Sequence, residues 1–262
     1  MRRVFSLYVI LAVLLLSSCS VKSDRSDCPC WVTVVTDTDS DCIVSFYDAY
    51  GNLQERRVLD AGQLRTGDNY TRVRRGELYV SVLEGADDML LDGGHVVRCR
   101  EGHQSGRIRC FTERASAVGD NLTVTGRLHK KHAVVTLLLV NSEEPVYPYD
   151  VSIQSSLSGM DLLSLEAVSG NFHYEPEVTP DCTAGFVITR QSADQPLNMF
   201  LLEKRTGVVL ATIDLNTYIA KTGYSWDTEE LGDVTITVDF SKSSITVFVA
   251  DWDAVYIYSF EI

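Results

Sequence analysis

The chain has 262 residues, 45% of them hydrophobic, and a formal net charge of −13. That length exceeds one ordinary domain of about 100 to 200 residues, so one large or two small domains are expected, with ample apolar content for a core. The acidic excess argues against nucleic acid and anionic lipid as partners, because their phosphates call for the opposite sign.

Arg2 and Arg3 make a short basic start, and Val4 to Leu16 follow as an almost wholly apolar run. A membrane-spanning helix needs about 20 apolar residues. A secretory signal needs only ~7 to 15 after a basic start, so residues 1–18 read as a removed signal. The stretch Leu16, Ser17, Ser18, Cys19 resembles the lipobox of bacterial lipoproteins, in which the cysteine becomes the first mature residue and is acylated. Cys19 is therefore the expected lipidation site, several acyl chains giving stable attachment where one gives only marginal binding. Without residues 1–18 the chain keeps 21 basic against 36 acidic side chains. Stable membrane attachment must then come through lipid.

Residues 19–30 read as a lipidated tether, since Ser20 to Pro29 are polar and charged without periodicity. Strands follow. "WVTVV" (Trp31 to Val35) and "CIVSFYD" (Cys42 to Asp48) are rich in β-branched and aromatic residues, and "DAYGN" before "LQERRVL" is a turn signal, giving a hairpin. "YTRVRRGELYVSVL" alternates, with Leu78, Val80 and Val82 on one face and Tyr79, Ser81 and Leu83 on the other. The run "NLTVTGRLHKKHAVVTLLLV" has no strong breaker beyond Gly126, and a domain boundary is placed within it, giving domains 31–126 and 127–262.

The second half repeats the style of the first. "YDVSIQSSL", "AGFVITRQ", "LNMFLLEK", "GVVLATIDL", "DVTITVDF", "SSITVFVA" and "AVYIYSFEI" are strand-like, with turn signals about 8 to 12 residues apart, as in β-sandwiches. One short helix is expected at "TYIAKT", capped by Asn216 and ended by Gly223. "GMDLLSLEAVSG" is ambiguous by pattern.

The chemistry-bearing residues nominate no active site, and neither a catalytic residue, a metal nor a cofactor is expected. Asp37, Asp39 and Asp41 have the spacing that opens a calcium loop, with Asp48 at its twelfth position. The sixth position is Cys42 instead of Gly and the last is not the usual Glu, so a solvated acidic turn is the better reading. Cys28, Cys30 and Cys42 lack the paired C-x-x-C spacing of structural zinc. His129 and His132 lie three apart, which on a strand sends them to opposite faces; His95, His103 and His173 are scattered. Six cysteines besides Cys19 suit an exported chain and allow 15 sets of three bridges. Cys99 and Cys110 are the favoured pair, because "CREGHQSGRIRC" reads as two arms around Gly102 to Gly106. Trp31, Trp226 and Trp252 lie in or beside expected strands and are read as core residues.

Taken together, the lipobox, "DRSDCPCWVTV", "FYDAYGN", "YTRVRRGELYVSV", "LHKKHAVVTLLLV", "AGFVITRQ" and "GYSWDTEELGDVTITVDFSKSSITVFVADW" resemble the FimB-type minor fimbrillins, the fimbrial anchor lipoproteins of Bacteroidetes type V pili. The likeness follows chain order over nearly the whole mature length. It implies an all-β fold of two tandem transthyretin-like antiparallel β-sandwich domains after the lipoprotein signal peptide. It also implies a non-enzymatic role: an outer-membrane lipoprotein at the cell surface that anchors a fimbrium through its stalk subunits and limits its length. Stalk subunits of such pili join by strand exchange, for which strand addition is the physical basis. The bottom-up candidate for an exchanged segment is "AVYIYSFEI", with Val255, Tyr256, Ile257, Tyr258 and Phe260. The competing function is a surface carbohydrate-binding lipoprotein of a glycan-uptake system, which exposed aromatics would favour.

Overall fold

A computed structural model of the chain describes residues 28–92, 94–140, 149–239, 244–250 and 255–261. The first sandwich begins with β1 (Cys30–Val35), β2 (Cys42–Asp48), β3 (Leu53–Leu59), the one-turn helix α1 (Ala61–Thr66), β4 (Thr71–Val73) and β5 (Gly76–Glu84). The chain continues through β6 (Met89–Leu91), β7 (Val96–Cys99), β8 (Arg109–Ala117), β9 (Asn121–Thr125) and β10 (His129–Lys130). One sheet has the order β4-β1-β9, with β1 antiparallel to β4 and parallel to β9; the facing sheet has the order β10-β8-β5-β2-β3. The expected hairpin is present, β2 pairing with β3 from Cys42↔Leu59 to Tyr47↔Leu53. The expected alternation in β5 places Leu78, Val80 and Val82 in the core between these sheets, with Val32, Val34, Val44, Phe46 and Leu64. Trp31 is a correction. Period-two geometry gives the inward positions of β1 to Cys30, Val32 and Val34, so Trp31 faces out at 45% exposure.

The second sandwich uses β11 (His132–Val140), β12 (Tyr149–Asp161), β13 (Ala167–Tyr174), β14 (Thr183–Thr189), β15 (Leu197–Glu203), β16 (Val209–Asp214), helix α2 (Leu215–Lys221), β17 (Asp233–Asp239), β18 (Ser244–Ala250) and β19 (Val255–Glu261). One sheet runs β14-β11-β17-β18-β19; the other runs β16-β15-β12-β7-β6, with β13 also on β12. The ambiguous stretch is thus a hairpin: Asp161 closes its turn by accepting from the backbone N–H groups of Leu163 and Ser164. The long run from Asn121 to Val140 is three strands. It passes at Lys131 from β10, paired with β8, to β11, paired with β14 and β17.

The two halves are interlocked. β6 and β7 leave the first sandwich and complete a sheet of the second, where β7 pairs antiparallel with β12 through Gly159↔Arg98, Met160↔Val97 and Asp161↔Val96. The larger core accordingly draws Met89, Val97, Cys99, Ile108 and Cys110 from the first half together with Val135, Leu137, Phe172, Phe186, Met199 and Trp226 from the second. Leu83, on the back face of β5, joins that same core. The arms of "CREGHQSGRIRC" do not face one another as a hairpin, because β7 and β8 belong to different sheets.

Helix α2 is where expected, but its cap is Asp214, whose carboxylate accepts from the N–H of Asn216. Gly223 follows the helix in the left-handed conformation at φ 82°, the usual terminator. Asn216 is buried instead: its amide donates to the carbonyls of Ser192 and Gln195 at 2.7 Å each and its oxygen accepts from Trp226 Nε1 at 2.7 Å. Helix α1 is too short to show a period. Its signal was the capping box in "DAGQ", where Asp60 and Gln63 reciprocally satisfy each other's backbone N–H. Among the described residues no helix is long and apolar enough to cross a membrane.

Candidate functional site

A strand at a sheet edge presents unpaired N–H and C=O groups and can pair with another chain unless it is covered, shortened, charged or bulged. The edges of this molecule can be judged on those terms. β4 has three residues and β10 two. β3 carries Glu55, Arg56 and Arg57 in the middle of its run. β16 is broken by a register shift opposite Leu201 and Leu202. The outer edge of β14 is covered: Ser105 N–H donates to the Val187 carbonyl, and Gln104 Oε1 accepts from Val187 N–H, both at 2.9 Å. Gln104 and Ser105 lie in a loop that no sequence pattern marked as an edge cover.

β19 is different. It pairs along its whole length with β18, from Ser244↔Glu261 to Ala250↔Val255, in an unbroken antiparallel register. No described strand lies on its far side. Its sequence, VYIYSFE, carries one charge in seven residues and has strong β propensity. The segment nominated from sequence, with Val255, Tyr256, Ile257, Tyr258 and Phe260, therefore forms a regular sheet edge that no other strand pairs with among the described residues.

The strands beneath it are well supported. β18 contributes Val247 and Val249 to the larger core, and β17 contributes Val234, Ile236 and Val238. Beside Val249 a cleft of about 280 Å³ opens, lined also by Gly223, Tyr224, Thr228 and Glu230. The Tyr224 hydroxyl donates to the Gly232 carbonyl at 3.0 Å, and its ring meets Trp226 edge-on at 4.9 Å between centroids. Burial raises the Tyr224 phenol pKa, so the phenol stays neutral beside the Glu230 carboxylate. Trp226, read from sequence as core, is buried.

The remaining nominated residues fall elsewhere. Cys19 and Trp252 lie outside the described residues. Cys99 and Cys110 share the larger core as free thiols, burial pushing them up to about 11 and about 12. Asp39 pairs with Arg65, and Asp48 holds its own turn by accepting from Tyr50 and Asn52. His129 sits between Glu229 and Glu230 at 3.0 and 3.3 Å. His132 is buried, with its Nδ1 2.9 Å from the Ile108 carbonyl, and desolvation lowers its pKa. Among the described residues no group of three or more His, Cys, Asp or Glu is placed to hold a metal ion.

The model of the family Mfa2, fimbrillin-A associated anchor proteins Mfa1 and Mfa2, matches residues 112–258, more than half of the chain. The chain belongs to this family. The matched region takes in the sheet β14-β11-β17-β18 and most of β19, and it makes this Mfa2-family chain a fimbria-associated surface protein. Solved structures share its fold. The fimbrial anchor protein Mfa2 from Porphyromonas gingivalis matches at TM-score 0.59 and 15% identity, over 88% of this chain and 100% of that one. A proposed polysaccharide-binding protein from Bacteroides thetaiotaomicron matches at 0.63 and 15%, over 88% and 98%. A proposed adhesin from Bacteroides ovatus matches at 0.60 and 13%, over 91% and 97%. At such identities the likeness is one of fold. No curated protein matches the chain.

Proposed function

We propose that this chain is an outer-membrane lipoprotein that holds a fimbrium at the cell surface and limits its length. In this reading Cys19 is acylated and tethers the protein, and β19 is the edge at which the first stalk subunit docks. The observation that carries it is the seven-residue, nearly uncharged β19, an edge among the described residues whose first four residues lie in the region matched to the anchor family. Strand addition there would extend the β18–β19 ladder, main-chain bonds supplying affinity and alternate side chains supplying specificity.

Two variants test the two halves of the reading. Cys19→Ala, followed by membrane fractionation, should release both the protein and its fibres; unchanged attachment would defeat the lipid anchor. Removal of residues 255–262 should leave a folded protein that no longer captures stalk subunits in a pull-down. If that truncation unfolds the protein, β19 is an ordinary last strand. Capture of oligosaccharide and no stalk subunit would instead establish the carbohydrate-binding alternative.

A further inference from the structure

The net charge averages over a surface that is not uniform. Arg72 in β4 and Arg74 just after it are both exposed. Among the described residues neither guanidinium takes part in an ion pair, whereas Arg57, Arg65, Arg75 and Arg114 are each bound to a carbonyl or a carboxylate. Arg72 and Arg74 line a groove of about 670 Å³ together with Cys28, Pro29, Asp48, Asn52, Leu53, Gln54, Val73 and Arg75. The groove runs between the edges of β3 and β4, where Gln54 Oε1 accepts from Arg74 N–H at 2.8 Å.

The groove wall also carries Asp48, an ionised carboxylate whose pKa is lowered mainly by its hydrogen bonds from Asn52 and in part by the charge of Arg74, which leaves Arg72 and Arg74 in excess over it. The Asp48 carboxylate accepts from the Asn52 side-chain amide at 2.9 Å and from backbone N–H groups of its own turn. Arg75 is paired with Asp120. Arg75 also donates to the Cys28 carbonyl at 2.8 Å and to the Val118 carbonyl at 2.5 Å, which fixes the start of the described chain against the groove. Cys28 follows Cys19 by nine residues, a length that spans at most about 30 Å. Between them Lys22 and Arg25 offset Asp24 and Asp27, so the connecting segment adds no net charge.

We propose that the Arg72–Arg74 groove docks on the phosphate groups of an anionic membrane surface, orienting the first sandwich against the bilayer. Guanidinium forks suit phosphate oxygens through paired hydrogen bonds. Basic side chains near an anionic leaflet gain attraction that fades within a Debye length. A tether of this reach places the groove within contact distance of the surface and leaves orientation to be set by charge. The inference rests on the tether reading only for its location; the groove's chemistry stands without it.

The test is vesicle co-sedimentation of the mature chain, residues 19–262, carrying Cys19→Ala, which lacks both the apolar signal and the lipid and so separates this question from acylation. Acylation itself is read independently from the mass of the mature wild-type chain. The Cys19→Ala protein should partition onto phosphatidylcholine vesicles containing phosphatidylglycerol more than onto phosphatidylcholine alone, with the difference shrinking as salt rises. Adding Arg72→Gln and Arg74→Gln should weaken that partitioning about thirty-fold with unchanged Tm. Equal partitioning onto both vesicles, or an unaffected double variant, overturns the proposal. Saturable binding of inorganic phosphate that displaces the protein from vesicles would assign the groove to a free anion and overturn the membrane docking.

Discussion

Gly159 offers a direct test of the interlock between the two halves. A Cβ built on it would lie 2.0 Å from the Val97 carbonyl oxygen, 2.9 Å from Arg98 Cα and 3.0 Å from the Val97 carbonyl carbon. All three are backbone atoms, so no side chain can swing away, and Gly159→Ala must push β7 off β12. If β7 shifts and stays paired, the strain should cost about 1–3 kcal/mol, as for other overpacked sites. If the β6–β7 hairpin lets go, Met89 and Val97, now 5% and 0% exposed, return to water at about 1.5–3 kcal/mol each. The expected loss is therefore about 1–6 kcal/mol between the two cases, a large part of an ordinary total stability of ~5–15 kcal/mol. Gly185→Ala is the matched control, because it also lies in a strand and its nearest neighbour is the Val135 carbonyl oxygen at 3.8 Å. Urea unfolding followed by Trp226 fluorescence should show a lower midpoint for Gly159→Ala and one within about 0.5 kcal/mol of wild type for Gly185→Ala. A Gly159→Ala protein as stable as the control would refute the argument that β7 is clamped against β12.

Other outcomes follow from single residues. Asn216→Ala strands the buried Trp226 Nε1 and removes two part-buried bonds to the Ser192 and Gln195 carbonyls, so chemical denaturation should show a loss of about 1–3 kcal/mol. Burial lowers the His132 pKa from the ordinary imidazole value of about 6.5 and favours its neutral form. The unfolded chain then binds the extra proton first, and stability should fall as pH drops below about 6.5, by up to ~1.4 kcal/mol per pH unit; His132→Gln should flatten that slope in a pH series of melts. With reduced, folded protein at pH 8, iodoacetamide should modify Cys28 readily and Cys182 partly, while Cys42, Cys99 and Cys110, raised to about 11, 11 and 12, resist until urea is added. A peptide map of oxidised, non-reduced protein shows directly whether Cys99 and Cys110 bridge.

The fold class was legible in the sequence because strands announce themselves locally. A two-residue period, as in Leu78, Val80 and Val82, needs only neighbours along the chain to be seen, and so do Gly223 after a helix and the turn at Asp48 to Asn52. The charge excess, the apolar start and the edge-like composition of Val255 to Glu261 belong to the same class of information. Which strands meet is a different kind of fact, settled by contacts distant in sequence. Nothing near Val97 says that it will lie against Met160, and nothing in "CREGHQSGRIRC" says that its arms part into two sheets while Gln104 and Ser105 cover the edge of β14. Trp31 shows the same limit, since an apolar ring in a strand has two possible faces and only the packing of Cys30, Val32 and Val34 selects the outer one. The edge position of β19 among the described residues and the grouping of Arg72 and Arg74 in one groove are likewise products of assembly. Local periodicity sets the elements; burial of long-range partners decides which edges close and which stay open.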